Sequence, residues 1–270
     1  VQQGALGVVS ALPSQPVTVN AGATLSGSAA LGGTVQVDGR HSPGIQSITG
    51  PLTYGSAARL VWEIGDLVTA SNVTVSPGAL VEVLANGPGS AVDYREPAWR
   101  SVRQWTLLSA TSISGGFELG IVSADASGDP AGPFGSFSIS SSPTSVVLQW
   151  TPGTAFQIWQ YDQFGSNWNS SSIAGPTADP DGDGWTNQDE WVIGSLPQNA
   201  ASRFTTSLST SGITFTRTAG RAYRVETSTT LSSGWMLLAN VAAGTGPITV
   251  PPPVNPGPKR FYRVVISYSP

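Results

Sequence analysis

The chain has 270 residues, with 12 basic and 16 acidic side chains and a formal net charge of −4. That balance argues against a nucleic-acid partner, and apolar and aromatic residues recur too often for a disordered chain. The absence of cysteine excludes disulfides, thiolate metal sites and a cysteine nucleophile.

With 32 glycines and 21 prolines, the composition predicts a mainly β protein of many short strands joined by tight turns. Alternating apolar and polar residues mark strands at 16–20, 34–38 and 72–76. Longer apolar runs mark 58–64, 79–84, 105–108 and 145–150. Gly32-Gly33, Ser42-Pro43-Gly44 and the Pro/Gly signals at 76–78 and 87–89 supply turns. Strands this short are unstable alone, so residues 1–150 are expected to stack as a β-helix-like domain or close as a β-sandwich. No segment approaches the about 20 apolar residues of a membrane span. Val1-Gln2-Gln3 reads as the start of a chain already cleaved, which fits export.

Residues 151–200 are expected to form a helix–calcium loop–helix linker. Thr154 and Gln157 have the spacing of a capping box, and Phe156, Ile158, Trp159, Tyr161 and Phe164 supply an apolar surface that Gly165 ends. A second short helix is predicted over 187–193, stopped by Gly194 and Pro197. Residues 201–270 return to strands at 203–208, 212–217, 222–228, 235–240, 248–250 and 260–267, with a stiff proline-rich loop at 251–258. That pattern predicts a small antiparallel β-sandwich as the C-terminal domain.

The most specific stretch is Asp179-Pro-Asp-Gly-Asp-Gly-Trp-Thr-Asn-Gln-Asp-Glu190. It has the D-x-D-x-D-G-x5-E spacing of a calcium loop. Asp179, Asp181 and Asp183 alternate, so that three carboxylates converge, and Gly184 permits the sharp bend. The Trp185 carbonyl takes position seven, Asn187 position nine, and Glu190 closes position twelve, where it can bind through both oxygens. Position eight is Thr186 rather than the aliphatic residue that bridges paired loops, and no second loop of this pattern exists. A lone loop points to a structural Ca2+ that fixes an angle between domains, held at about 0.1–1 mM as in extracellular modules.

Several stretches are similar to known sequences. Phe164-Gly165 through Ala174, Ala178 through Trp191, then Gly194 and Pro197 resemble a linker in secreted proteins of environmental Gram-negative bacteria, with a loop like that of type 3 thrombospondin repeats and dockerins. That pattern closes on Gly-Thr-Asp-Pro; here it reads Gly194-Ser-Leu-Pro197, without the Asp. Leu25-Ser-Gly-Ser, Gly32-Gly-Thr-Val, Ser42-Pro-Gly44 and Leu60-Val-Trp-Glu-Ile64 resemble an autotransporter-associated β-strand repeat, with its turn shortened to His41-Ser-Pro-Gly44. Tyr223-Arg-Val-Glu-Thr-Ser-Thr-Thr-Leu-Ser-Ser-Gly-Trp235 and Arg260-Phe-Tyr-Arg263 resemble the terminal β-domain of the same proteins. The resemblance implies an extracellular protein with a right-handed β-helix-like first region and a non-enzymatic surface role. It names no ligand.

No catalytic set is expected. His41, the single histidine, is read as a turn residue beside Ser42, and Glu63 with Asp66 as a strand's polar end rather than a glycosidase pair. Of nine tryptophans, Trp62, Trp150 and Trp235 are expected in cores and Trp159 and Trp191 against helices. Trp99, Trp105, Trp168 and Trp185 are freer to stack on sugars. Residues 1–200 hold five bases against fifteen acids, and residues 201–270 hold seven bases against one acid. Such opposite ends attract head to tail, or face each other within one chain, or leave the basic end for an anionic surface glycan. The expected function is a non-catalytic, calcium-stiffened subunit of a bacterial surface fibre, sheath or layer, a homo-polymer in which the apolar segment 4–11 pairs with a neighbour's sheet edge. The alternative is an adhesin or carbohydrate-binding module.

Overall fold

The computed structural model describes residues 1–87, 92–254 and 259–268; the turn expected at 87–89 and the loop expected at 251–258 run outside them. The protein is mainly β, with two short α-helices, and divides into two compact units, Val1–Thr154 and Ala155–Pro270. The segment expected as a linker falls almost wholly in the second unit.

The first unit carries two sheets, built from strands that alternate between them along the chain. One sheet runs β1 (Gly4–Gly7), β3 (Ala23–Ser26), β5 (Arg40–Ser42), β8 (Arg59–Trp62), β10 (Leu80–Val83) and β12 (Glu118–Val122), all parallel. The other runs β2 (Val17–Val19), β4 (Val35–Val37), β7 (Leu52–Tyr54), β9 (Leu67–Val75) and β11 (Arg103–Ser114), again parallel. β6 (Ile45–Ile48) lies beside the first half of β9. The antiparallel pair β14 (Ser145–Pro152) and β13 (Gly135–Ser141) then ends this sheet on β11. β1 therefore belongs to the chain's own sheet, in register with β3 from Gly4 opposite Ala23 to Gly7 opposite Ser26, rather than being a free segment to donate.

Parallel pairing puts equivalent side chains in rows. Leu6, Leu25, His41, Leu60, Val81 and Leu119 form one row, buried except at its half-buried ends Leu6 and Leu119; Val19, Val37, Tyr54 and Val75 form another, all buried. Successive coils touch backbone to backbone at a glycine corner. A Cβ on Gly33 would lie 2.2 Å from the Gln15 carbonyl oxygen, and one on Gly50 would lie 2.2 Å from that of Gly33. Only glycine permits that approach.

His41 is not a turn residue. It occupies an apolar row and is fully buried. Gln46 Nε2 donates to the Gly27 carbonyl at 3.0 Å, which leaves Gln46 Oε1 as an acceptor. His41 Nε2 donates to that oxygen at 2.7 Å, and the Tyr54 hydroxyl donates to Nδ1 at 2.7 Å. A fully paired network is the condition under which polar groups survive in such a place.

The aromatic residues also differ from expectation. Trp99 is 4% exposed. Its ring packs edge-on to Trp150 at 5.1 Å, and its carbonyl accepts from Trp150 Nε1 at 2.9 Å. Tyr94 stacks on Trp150 at 5.3 Å and meets Trp99 edge-on at 5.2 Å. Trp62 and Trp150 are core, as expected, whereas Trp235 is half-buried beneath the Arg263 guanidinium at 4.5 Å.

The second unit holds α1 (Ala155–Phe164), α2 (Asn187–Ile193) and two three-stranded antiparallel sheets. These are β15 (Thr206–Ser209), β16 (Gly212–Arg217) and β19 (Gly246–Val250), then β18 (Met236–Val241), β17 (Arg221–Ser228) and β20 (Phe261–Tyr268). Ile213, Phe215, Tyr223, Val225, Val241 and Val250 make one core from both. Trp159 and Trp191 pack on Phe156, and Trp191 also meets Tyr268 at 4.5 Å. Divided at the observed boundary, the first unit has five bases and nine acids and the second has seven of each. The apparent cationic end is balanced by acids of its own unit: Arg224 and Arg263 both pair with the buried Glu226, at 2.7 and 2.6 Å.

Burial depresses the pKa of His41 from 6.5 to about 4, against the opposing pull of Gln46. An unfolded chain takes up a proton below pH 6.5, while the folded one waits until about pH 4. This contribution is complete above pH 6.5 and is lost as pH falls toward 4, about 3 kcal/mol in all. Urea denaturation at pH 7 and pH 4 should show that loss in the natural chain and a clearly smaller one in His41→Gln. Equal losses in both would contradict it.

Candidate metal centre

The loop of residues 179–190 is held at both ends by hydrogen bonds that its own sequence supplies. The Asn187 amide nitrogen donates to the carbonyls of Ile173 and Gly175, each at 2.9 Å, and its backbone N–H reaches Ala178 O at 2.8 Å. Thr186 is the N-cap of α2: its hydroxyl accepts from Asp189 N, while the Asp189 carboxylate accepts from Thr186 N. Asp189 is thereby spent on the helix. Gly194 ends α2 at φ +83°. Arg221 Nε donates to the Val192 carbonyl at 3.1 Å, Nη2 donates to Trp191 O, and the guanidinium lies over Tyr268 at 4.8 Å. The helix that carries Asn187 and Glu190 is thus fastened to β17 and β20.

Within the loop, Asp179 organises the backbone. Its Oδ1 accepts from Gly182 N at 2.9 Å and Asp183 N at 3.2 Å, and its Oδ2 accepts from Gly184 N at 2.9 Å. Gly182 and Gly184 take φ of +72° and +92°, the left-handed turns that an alternating-aspartate loop needs. Asp181 Oδ1 accepts from Asp183 N at 3.2 Å and Asp183 Oδ1 from Trp185 N at 2.8 Å. Ser195 Oγ donates to Glu190 Oε1 at 2.9 Å.

The second oxygens are the telling ones. Asp181 Oδ2, Asp183 Oδ2, Asn187 Oδ1 and Glu190 Oε2 are all buried, and none accepts a hydrogen bond. Asn187 and Glu190 are entirely buried as residues. Carboxylate oxygens of Asp179, Asp181 and Asp183 lie within 4.8 Å of one another. Arg203 Nε comes within 3.1 Å of Asp183 Oδ2, but its N–H goes to the Ala200 carbonyl at 2.7 Å. Asp183 therefore gains a neighbouring charge and no hydrogen bond. Burial first, and then the carboxylates of Asp181, Asp183 and Asp179, push the Glu190 carboxyl up to about 7, against the pull of the Ser195 hydroxyl. Buried oxygens that accept no hydrogen bond, in a loop where three carboxylates cluster, are what a divalent cation would relieve. An all-oxygen donor set of carboxylates, an amide and a carbonyl suits a hard cation such as Ca2+.

All the residues singled out in the loop lie in this one structure: Asp179, Asp181 and Asp183 as a cluster, Trp185 at the bend, and Asn187 and Glu190 on α2. Ser195, Arg203 and Arg221 were not singled out. Each lies beyond the twelve-residue spacing and reaches the site through a turn.

The pairs weighed for catalysis stand elsewhere. Asp66 Oδ2 accepts from Glu63 N at 2.9 Å in a local turn, and the Glu63 carboxylate packs against Gly87. Among the freer tryptophans, Trp105 and Trp168 are half-buried and Trp185 is 38% exposed.

Calcium at about 10 mM, ten to a hundred times a dissociation constant of about 0.1–1 mM, should stabilise the second unit by about 1.4–2.7 kcal/mol. Differential scanning calorimetry with and without chelator measures this. Glu190→Gln should lose the calcium effect while leaving the calcium-free protein at least as stable, since it removes a buried repelled carboxylate.

No family model, curated protein or solved structure matches this chain.

Proposed function

We propose that the chain is a non-catalytic, calcium-stabilised structural protein of the bacterial cell exterior. The observation that carries the reading is the set of four buried oxygens of the 179–190 loop that accept no hydrogen bond, one of which, Asp183 Oδ2, lies beside the Arg203 guanidinium. A lone loop of modest affinity fills only where calcium is abundant, which favours the extracellular side. The first unit reads as a short β-helix, because strands alternate between two parallel sheets and stack like on like. The second reads as a small β-sandwich that bears the calcium loop.

Assembly into a fibre, sheath or layer is supported by the first coil. β1 is the terminal strand of its sheet and offers a main-chain edge to another copy, whereas the edge of β2 is bonded to Val1 through Thr18 O and Asn20 N. Head-to-tail attraction between opposite charges does not support it, because the second unit is internally neutral. For sugar binding, Trp185 is the most exposed of the four freer tryptophans, at 38%. Trp99→Ala would empty a core position rather than test a glycan contact.

Negative-stain imaging of native material with calcium and after chelation tests the reading. Ordered polymers that loosen on chelation are expected. Dispersed monomers that bind a glycan array, with loss on Trp185→Ala, would replace it with the adhesin alternative.

A further inference from the structure

The two oxygens of Glu190 are not equivalent. Oε1 accepts from Ser195 Oγ at 2.9 Å, inside a pair of buried residues, while Oε2 has no partner. The Gly194 turn sets this up: in the left-handed conformation it returns the chain, so that Ser195 N also reaches Glu190 O at 3.1 Å. The ordinary position-twelve glutamate of such a loop gives both oxygens to the metal. Here the Ser195 hydroxyl takes one lone pair of Oε1, which weakens that oxygen as a second donor.

The donors number six when taken one by one. Four accept no hydrogen bond, namely Asp181 Oδ2, Asp183 Oδ2, Asn187 Oδ1 and Glu190 Oε2; the loop spacing adds the Trp185 carbonyl and Asp179, whose Oδ2 keeps a lone pair beside its bond from Gly184 N. Resting on the calcium reading of the loop, we propose that Ser195 sets its metal selectivity by biasing Glu190 toward one coordinating oxygen. Mg2+ demands six oxygens in near-octahedral array, and Ca2+ gains from a seventh. A loop biased toward one glutamate oxygen therefore separates the two ions poorly. Ser195 is a positioning residue: it acts through Glu190 and touches no ion.

The test is isothermal titration of the full chain with calcium alone and with magnesium alone. It compares the natural sequence, Ser195→Ala and Ser195→Thr, with circular dichroism to confirm folding. Ser195→Ala frees Oε1 and should raise the ratio of calcium to magnesium affinity about tenfold. Ser195→Thr keeps the hydroxyl and should keep the natural ratio. Ser195→Cys, a much weaker donor, should move the ratio the same way as alanine and covers a failure of that variant to fold. An unchanged ratio in the alanine and cysteine variants overturns the proposal, whether both affinities fall together or neither moves. So does a threonine variant that behaves like alanine. A natural chain that takes up neither metal instead overturns the reading of the loop itself.

Discussion

A buried oxygen that accepts no hydrogen bond costs about 1–3 kcal/mol, and more when it carries charge. The second unit holds four of them around one short loop. They are kept there by bonds made elsewhere. Thr186 caps the helix, the Asn187 amide grips Ile173 and Gly175, and Arg221 binds the last carbonyls of α2. The surrounding fold therefore prebuilds a concentration of negative charge that a bound cation would neutralise. On the calcium reading proposed above, occupation of the loop and integrity of the unit would be two sides of one equilibrium, since an ion that binds only the folded form shifts the balance toward it.

The first unit depends on repetition instead. Each short strand is too small to bury its own apolar face, and stacking Leu60 on Val81 or Val37 on Tyr54 does so by register alone. Such a stack must end somewhere. At one end the antiparallel pair β13–β14 follows β11, and its Phe137 and Trp150 pack with Tyr94 and Trp99. The other terminal strands of the two sheets are β1 and β2, and Val1 is bonded along β2 through Thr18 O and Asn20 N.

Much of this was legible where one residue type has one physical job. The alternation at 34–38 became β4, and α2 spans Asn187–Ile193 between the expected stop at Gly194 and the loop. The six C-terminal strands lie within a few residues of their expected places. His41 was misread because the neighbouring Ser-Pro-Gly signals a turn, while its own row is set by Leu25 and Leu60, distant in sequence. Trp99 sits among Glu96, Pro97 and Arg100, a polar context, yet a single 3-10 turn carries its indole inward. The Thr186–Asp189 capping box was visible in the spacing but was masked by the calcium pattern that overlaps it. Ser195 and Arg203 carry no local signature at all. Only the Gly194 turn and the path back from Ala200 bring them to the loop.

The most direct measurement is a crystal grown in saturating calcium, with anomalous differences collected to locate the ion. One peak is expected, ringed at about 2.3–2.6 Å by oxygens of Asp179, Asp181, Asp183, Trp185, Asn187 and Glu190. No peak, with those oxygens turned to solvent or to protein donors, would contradict the central claim.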